Sequence, residues 1–318
     1  MKAFLLENYQ HPPRIRDVPI PIPKRNEVVV KIAYCGVNRV DLAVLSGRFG
    51  DSLSFPLIMG SEIVGTLPDG KKVAVNPYLH CGKGRPLLGI QRNGGYAEYV
   101  SVPKDNIIPI PQGIALQEAC SVTLSAGTAY RMVFNKAKIK AADWVAITAA
   151  GSGVGVYSCQ LTRLAGANVI ALIGNDNKLT KLKALGIKSI VNYRKKNWQK
   201  KVEKATDGDG VDILIDTVGG TTLETLIPII APLGKIVLCG ATENSKINLN
   251  LIDLYMKQKQ IIGSSGFMNN DLTRIFQLVK ENKIKPIIDS VYSLKQIPKA
   301  WEKLKSRDVF GKILIKVS

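Results

Sequence analysis

From Asp143 to Gly240, short apolar runs alternate with amphipathic stretches, and this rhythm constrains the fold more than any other feature of the chain. "WVAITA", "ANVIALI", "SIVNY", "VDILIDTVGG" and "GKIVLCG" are nearly continuous aliphatic runs, the pattern of strands buried on both faces. Between them "VGVYSCQLTRLAG" and "NKLTKLKALG" have helical spacing closed by a glycine, a basic helix follows "SIVNY", and "TTLETLIPIIA" reads as a further helix. Strand and helix in strict alternation predict a parallel sheet with helices on both faces, a doubly wound α/β domain.

Up to about residue 115 the texture differs: proline punctuation ("HPPRIRDVPIPIPK", "IIPIPQG") separates the β-branched runs "EVVVKIAY", "EIVGTL" and "KKVAV". This part reads as all-β and barrel-like. "TLPDGKK" places a Pro-Asp-Gly turn between two apolar runs, which predicts a hairpin. After "QIIGSSGF" the tail holds two helices and ends on the strand "GKILIKV", so it is expected to rejoin the first domain. The resulting division is residues 1–121 with 266–318 for one domain and 122–265 for the other.

A chain of 318 residues has room for two cores. With 46% apolar and 22% charged residues and no run long enough for a membrane span, it is expected to be soluble, without membrane partners. "MKAFLLENYQ" lacks the features of a secretory signal, so a cytoplasmic location is expected. Five cysteines, none in a C-x-x-C pair, argue against a disulfide framework. With His11 and His80 as the only histidines, a histidine base or a three-ligand zinc site has little to draw on. Lys and Arg outnumber Asp and Glu by 19 (44 − 25), implying attraction to phosphates, acyl thioesters or nucleic acid. The densest basic stretch, "YRKKNWQKKVEK", reads as a solvated helix face with Trp198 packed inward, and nucleic acid is not the expected partner.

Directly after the first strand of the α/β repeat comes "AGSGVG", residues 150–155, opening a helix. Glycines there allow a tight turn and close approach of a pyrophosphate held by helix N-terminal N–H groups. Ala150, Gly151, Ser152, Gly153, Val154 and Gly155 are therefore assigned to a dinucleotide, although Ser152 stands where a glycine would leave more room. The second strand ends Leu172, Ile173, Gly174 without a carboxylate to bind a ribose, and Asp176 falls in the loop beyond it. Gly174, Asn175, Lys178, Tyr193 and Gly240 complete the cofactor set, and the basic surroundings favour NADPH, with NADH possible.

"GVNRVDL" (36–42), "FPLIMGSEIVG" (55–65), "GGYAEYV" (94–100), "SAGTAYR" (125–131), "AGSGVG", "VNYR" (191–194) and "GKIVLCGA" (234–241) occur in this order. Together they resemble the medium-chain dehydrogenase/reductase superfamily, and most closely its zinc-free quinone oxidoreductase branch. The resemblance implies a GroES-like β-barrel-type catalytic domain joined to a Rossmann domain. Metal-dependent members carry a cysteine and a histidine at the places held here by Asn38 and Ser61, and their structural-zinc lobe is reduced here to "HCGKGRPLLGIQRNGG" with Cys81 alone. No metal ligand is therefore assigned and zinc is not expected. Asp41 and Glu62 match acids found with and without metal and are read as structural. By the same resemblance Asn38 lies beside the nicotinamide and donates to the substrate oxygen, and Thr128 lies near the nicotinamide amide. Ala43 replaces a tyrosine of some relatives, implying a roomier cleft.

The implied function is NADPH-dependent hydride transfer to a quinone or α,β-unsaturated carbonyl. An enoyl-CoA-type reductase and a non-catalytic NADPH- or nucleic-acid-binding protein are the alternatives. A small-molecule substrate and a homodimer, paired through the edge strand "KQIIGSSGF", are expected.

Overall fold

The computed structural model describes residues 1–79 and 86–317. His80 and Cys81, in the reduced lobe, lie outside the described residues. In chain order the strands are β1 (Lys2–Leu6), β2 (Arg14–Asp17), β3 (Glu27–Val37), β4 (Leu57–Ile58), β5 (Glu62–Thr66), β6 (Lys72–Val75), β7 (Tyr99–Pro103), β8 (Ile107–Pro109), β9 (Trp144–Ile147), β10 (Asn168–Ile173), β11 (Ser189–Asn192), β12 (Val211–Asp216), β13 (Ile230–Leu238), β14 (Gln260–Gly263), β15 (Ile288–Ser293) and β16 (Lys312–Lys316). The helices are α1 (Arg39–Leu45), α2 (Leu116–Tyr130), α3 (Gly153–Leu164), α4 (Leu179–Ala184), α5 (Trp198–Ala205), α6 (Gly220–Leu226), α7 (Leu251–Met256), α8 (Asn269–Lys280) and α9 (Ile297–Lys305). Two compact units result, residues 1–127 with 267–318 and residues 128–266.

In the first unit a sheet runs β15-β16-β3-β5-β6-β8, with β7 also on β3, and a smaller sheet runs β2-β1-β4. The eleven residues of β3 organise it. One edge of β3 pairs with β7 through Glu27–Lys31 and then with β16 through Tyr34–Val37, while the other edge pairs with β5. The tail thus returns to the first unit, as its terminal strand pattern predicts. Because β16 runs antiparallel to β3 with Ile313 opposite Val37, Lys312 arrives beside the last residues of β3 and the start of α1. The expected hairpin joins β5 to β6, with Thr66 opposite Lys72, Gly70 at φ +82° and the Asp69 carboxylate accepting from the Lys71 N–H. The core beneath includes Ile32, Ile63, Leu79, Tyr96 and Trp301.

The second unit is a six-stranded parallel sheet in the order β11-β10-β9-β12-β13-β14. Numbered within the unit this is 3-2-1-4-5-6, whose strand order reverses beside β9, and in open parallel sheets ligands bind outside the carboxyl ends of the strands at such a reversal. Ala146, Ile170, Leu172, Leu214 and Ile236 fill one face of the core. Trp198 packs into the same cluster, as expected from its place on a basic amphipathic helix, so its ring is not offered to stack on bases. The expected helix "TTLETLIPIIA" is shorter: α6 ends at Leu226, a 3-10 turn covers Ile227–Ile229, and Ile230 already pairs with Val211. Pro228 within that run cannot continue an α-helix, since it lacks the N–H and its ring meets the preceding turn.

Candidate active site

Asn38 follows the end of β3 and is the N-cap residue of α1. Its backbone N–H donates to Asp41 Oδ2 at 2.8 Å, which also accepts from the buried Tyr96 hydroxyl at 2.8 Å. The Asn38 side chain is held on three sides. Nδ2 donates to the Gly36 carbonyl and to Glu62 Oε2, each at 3.1 Å, and Oδ1 accepts from Lys312 Nζ at 2.6 Å. Both amide hydrogens are thereby engaged within the protein. For Asn38 to act as the expected donor to a substrate oxygen, one of these two bonds must be exchanged for it.

Lys312 is the residue that sequence reasoning passed over. Only 3% of it is exposed, and its ammonium donates to Glu62 Oε2 at 2.6 Å, Asn38 Oδ1 at 2.6 Å and the Val37 carbonyl at 3.0 Å. Three donors meet three acceptors, so the charge is fully satisfied. Glu62, completely buried, also accepts on Oε1 from the N–H groups of Leu124 at 2.6 Å and Ser125 at 3.3 Å. Gly36 makes this possible: a Cβ there would lie 2.1 Å from Glu62 Oε2. The signal in the sequence was a lysine opening the apolar strand "GKILIKV", where burial without a partner would cost several kcal/mol.

Burial pushes the Asp41 carboxyl up to about 6, opposed by the hydrogen bonds from Asn38 and Tyr96. Burial, with the nearby Asp41 and Glu62 charges, also raises the Cys35 thiol well above its ordinary value, which fits packing and not reactivity.

In the second unit the glycine turn follows β9 and opens α3. Ala149 sits at φ +46°, and a Cβ on Gly155 would lie 2.2 Å from the Ala149 carbonyl, so the helix can start this close to the strand only with glycine at 155. Ser152 caps α3: its Oγ accepts from the Gly155 N–H at 3.1 Å. The hydroxyl that threatened to crowd a pyrophosphate is turned back into the helix. Lys178 lies over the turn, its Cδ 2.4 Å from where a Gly151 Cβ would stand. At the end of β10, a Cβ on Gly174 would meet Tyr193 Oη at 3.1 Å and Arg194 Nε at 3.3 Å. Asn175 accepts from the Asn177 N–H at 3.0 Å and shapes the loop. Asp176 is paired with Lys195 and accepts from Asn192 Nδ2 at 2.8 Å, so its carboxylate is already committed. Gly240, at φ +106°, lies just past β13. Asp216, fully buried, ties the loop after β12 to β9 by accepting from Thr148 Oγ1 at 2.7 Å and the Gly219 N–H at 2.8 Å.

The structure therefore gathers Asn38, Asp41, Glu62 and Lys312 in one unit, and the glycine turn, Gly174, Lys178, Tyr193 and Arg194 in the other. Thr128 is buried in the last turn of α2. It is the first residue of the second unit, whereas Asn38 belongs to the first.

The profile of the alcohol dehydrogenase GroES-like domain matches residues 24–112, and that of the zinc-binding dehydrogenases matches residues 153–281. The chain belongs to the medium-chain dehydrogenase/reductase superfamily. Human quinone oxidoreductase is 26% identical over 294 residues, covering 91% of this chain and 88% of that protein. Acryloyl-coenzyme A reductase of Sulfurisphaera tokodaii is 26% identical over 343 residues, covering 99% and 100%. Among solved structures, an NAD-dependent alcohol dehydrogenase superposes with a TM-score of 0.93 at 32% identity, each chain covered completely.

The superfamily implies two resident groups. A nicotinamide dinucleotide fits the residues present, because the Gly155 approach, the capped N-terminus of α3 and the basic end of β10 form a cradle for its phosphates. Zinc does not fit the residues around Asn38. Ser61 Oγ is spent on the Leu88 carbonyl at 2.7 Å, the Asn38 amide is saturated, and the Glu62 carboxylate already holds an ammonium. Zinc prefers thiolate and imidazole, and a second cation beside Lys312 would be repelled. Among the described residues no group of three or more His, Cys, Asp or Glu side chains is placed to hold a metal ion, and no helix is long and apolar enough to cross a membrane.

Proposed function

We propose that this oxidoreductase reduces a quinone or an α,β-unsaturated carbonyl with NADPH and without zinc. The observation that carries the reading is the Lys312–Glu62–Asn38 cluster, an oxygen-and-ammonium network beside which a Lewis-acid metal has no place. A nicotinamide dinucleotide held at the glycine turn would supply the hydride. Addition to a conjugated acceptor places the negative charge on a delocalised enolate or phenolate, which directed hydrogen bonds can stabilise where an isolated ketone would need a metal. The neutral Gly36 carbonyl is the weaker of the two acceptors on Asn38 Nδ2, so a developing oxyanion can displace it and take the N–H. NADPH as the cofactor is supported by Arg194 and Tyr193 at the end of β10, by Lys178 over the glycine turn and by the commitment of Asp176 to Lys195 and Asn192.

The likeness to acryloyl-coenzyme A reductase along the full chain, with a surplus of 19 positive charges, keeps enoyl thioesters among the acceptors to be tried. The test is oxidation of NADPH and NADH over quinones, enones and enoyl thioesters, with and without a chelator. Turnover of conjugated acceptors, faster with NADPH and indifferent to chelator, is the expected result. Binding of NADPH with no acceptor reduced, or activity restored only by zinc, would refute it.

The protein is further proposed to act as a homodimer in a reducing cytoplasm. The edge strand β14 and the α7 helix before it leave Leu251, Ile252, Tyr255 and Met256 63–68% exposed, an apolar edge that a second copy would cover. The described cysteines Cys35, Cys120, Cys159 and Cys239 are all free thiols.

A further inference from the structure

We propose that Lys312 is a resident cation that fixes and polarises the Asn38 amide. This rests on the reading of Asn38 as donor to the reacting oxygen. An asparagine amide can sit either way round, and only its partners decide which. Here the decision is electrostatic. Reversing the amide would point an N–H group at the Lys312 ammonium 2.6 Å away and turn the carbonyl oxygen toward Glu62 Oε2 and the Gly36 carbonyl. The ammonium therefore locks Oδ1 inward and leaves Nδ2 as the donating edge. Drawing electron density toward Oδ1 also makes Nδ2 a stronger donor, as in any hydrogen-bonded chain in a low-dielectric setting. Lys312 has no donor left for substrate, so it acts through Asn38 as a positioning residue.

A plain structural role is the rival: Lys312 merely neutralises the buried Glu62. The two roles separate in the double variant Lys312→Ala/Glu62→Gln, which removes the ammonium and the charge it balances together. Lys312→Ala alone should melt lower and lose about a hundredfold in kcat, the scale expected for misplacing a catalytic group, with KM for NADPH little changed. The double variant should regain most of the melting temperature while kcat stays down by a similar factor, and Lys312→Arg should retain part of the activity. A wild-type kcat in the double variant would overturn the proposal.

An independent arm needs no turnover. Propylammonium, which replaces the three carbons and the ammonium that the substitution removes, should raise the melting temperature of Lys312→Ala, leave the wild type unchanged and leave the double variant unchanged, because the anionic acceptor is then gone. Absence of that selective response would overturn the resident-cation assignment even if no acceptor is ever reduced. If the wild type itself reduces no acceptor while the propylammonium response holds, the proposed reaction fails and the resident cation stands.

Discussion

Replacing Gly155 by alanine gives a sharp test of the dinucleotide cradle. The new Cβ would lie 2.2 Å from the Ala149 carbonyl oxygen and 2.8 Å from Ala150 Cα. Both are backbone atoms, so no side-chain rotation relieves the clash, and the first turn of α3 must move away from β9 by about 1 Å to reach ordinary van der Waals separation. Overpacking of this kind costs roughly 1–3 kcal/mol of stability. The effect on cofactor is larger in proportion, because a shift of that size stretches N–H bonds aimed at a phosphate, each worth about 1.5–3 kcal/mol. Losing one such bond corresponds to a tenfold or greater rise in Kd. The assay is titration of NADPH by fluorescence, alongside urea unfolding. Ser152→Ala is the control: its hydroxyl faces the Gly155 N–H, so losing it removes a helix cap worth about 1 kcal/mol but should leave NADPH affinity within about threefold. If Gly155→Ala binds NADPH as well as wild type, or Ser152→Ala loses affinity as badly as Gly155→Ala, the placement of the pyrophosphate at this helix start is wrong.

Three further outcomes follow from the geometry. Asp41 has a folded pKa of about 6 against an ordinary value of 3.8, so the native state holds its proton more tightly and the contribution of this group to stability falls as pH rises from about 4 to 6, by roughly 3 kcal/mol. Asp41→Asn, which keeps an oxygen for Tyr96 and the Asn38 N–H, should flatten that slope in urea melts across pH 4–8, and an unchanged slope would exclude Asp41 as its source. Arg194→Ala should weaken NADPH by about tenfold and leave NADH nearly unaffected in the same titration, since only NADPH carries the extra phosphate. Ile261→Lys on the exposed edge of the parallel sheet should convert a dimer to a monomer by light scattering; a monomeric wild type would remove the dimer altogether.

The doubly wound unit was legible because its signals are local. Runs such as "NVIALI" can be satisfied only by burial on both faces, and glycine stops mark where each helix ends. The glycine turn after β9 was equally readable, since strand, turn and helix start are contiguous in the chain. What Ser152 does was not, because the direction of one hydroxyl depends on the helix that forms after it. The end of the α6 segment was misjudged where Pro228 outweighed an apolar periodicity that favoured helix.

The sequence by itself determined the two-unit organisation, the superfamily and the placing of Asn38 directly after the long strand β3. Only the tertiary structure decided what surrounds that asparagine. Lys312 and Asn38 are 274 residues apart in the chain, and no local pattern announces their meeting. The antiparallel register of β16 on β3 brings them together, and the dry interior that results makes an ion pair there obligatory.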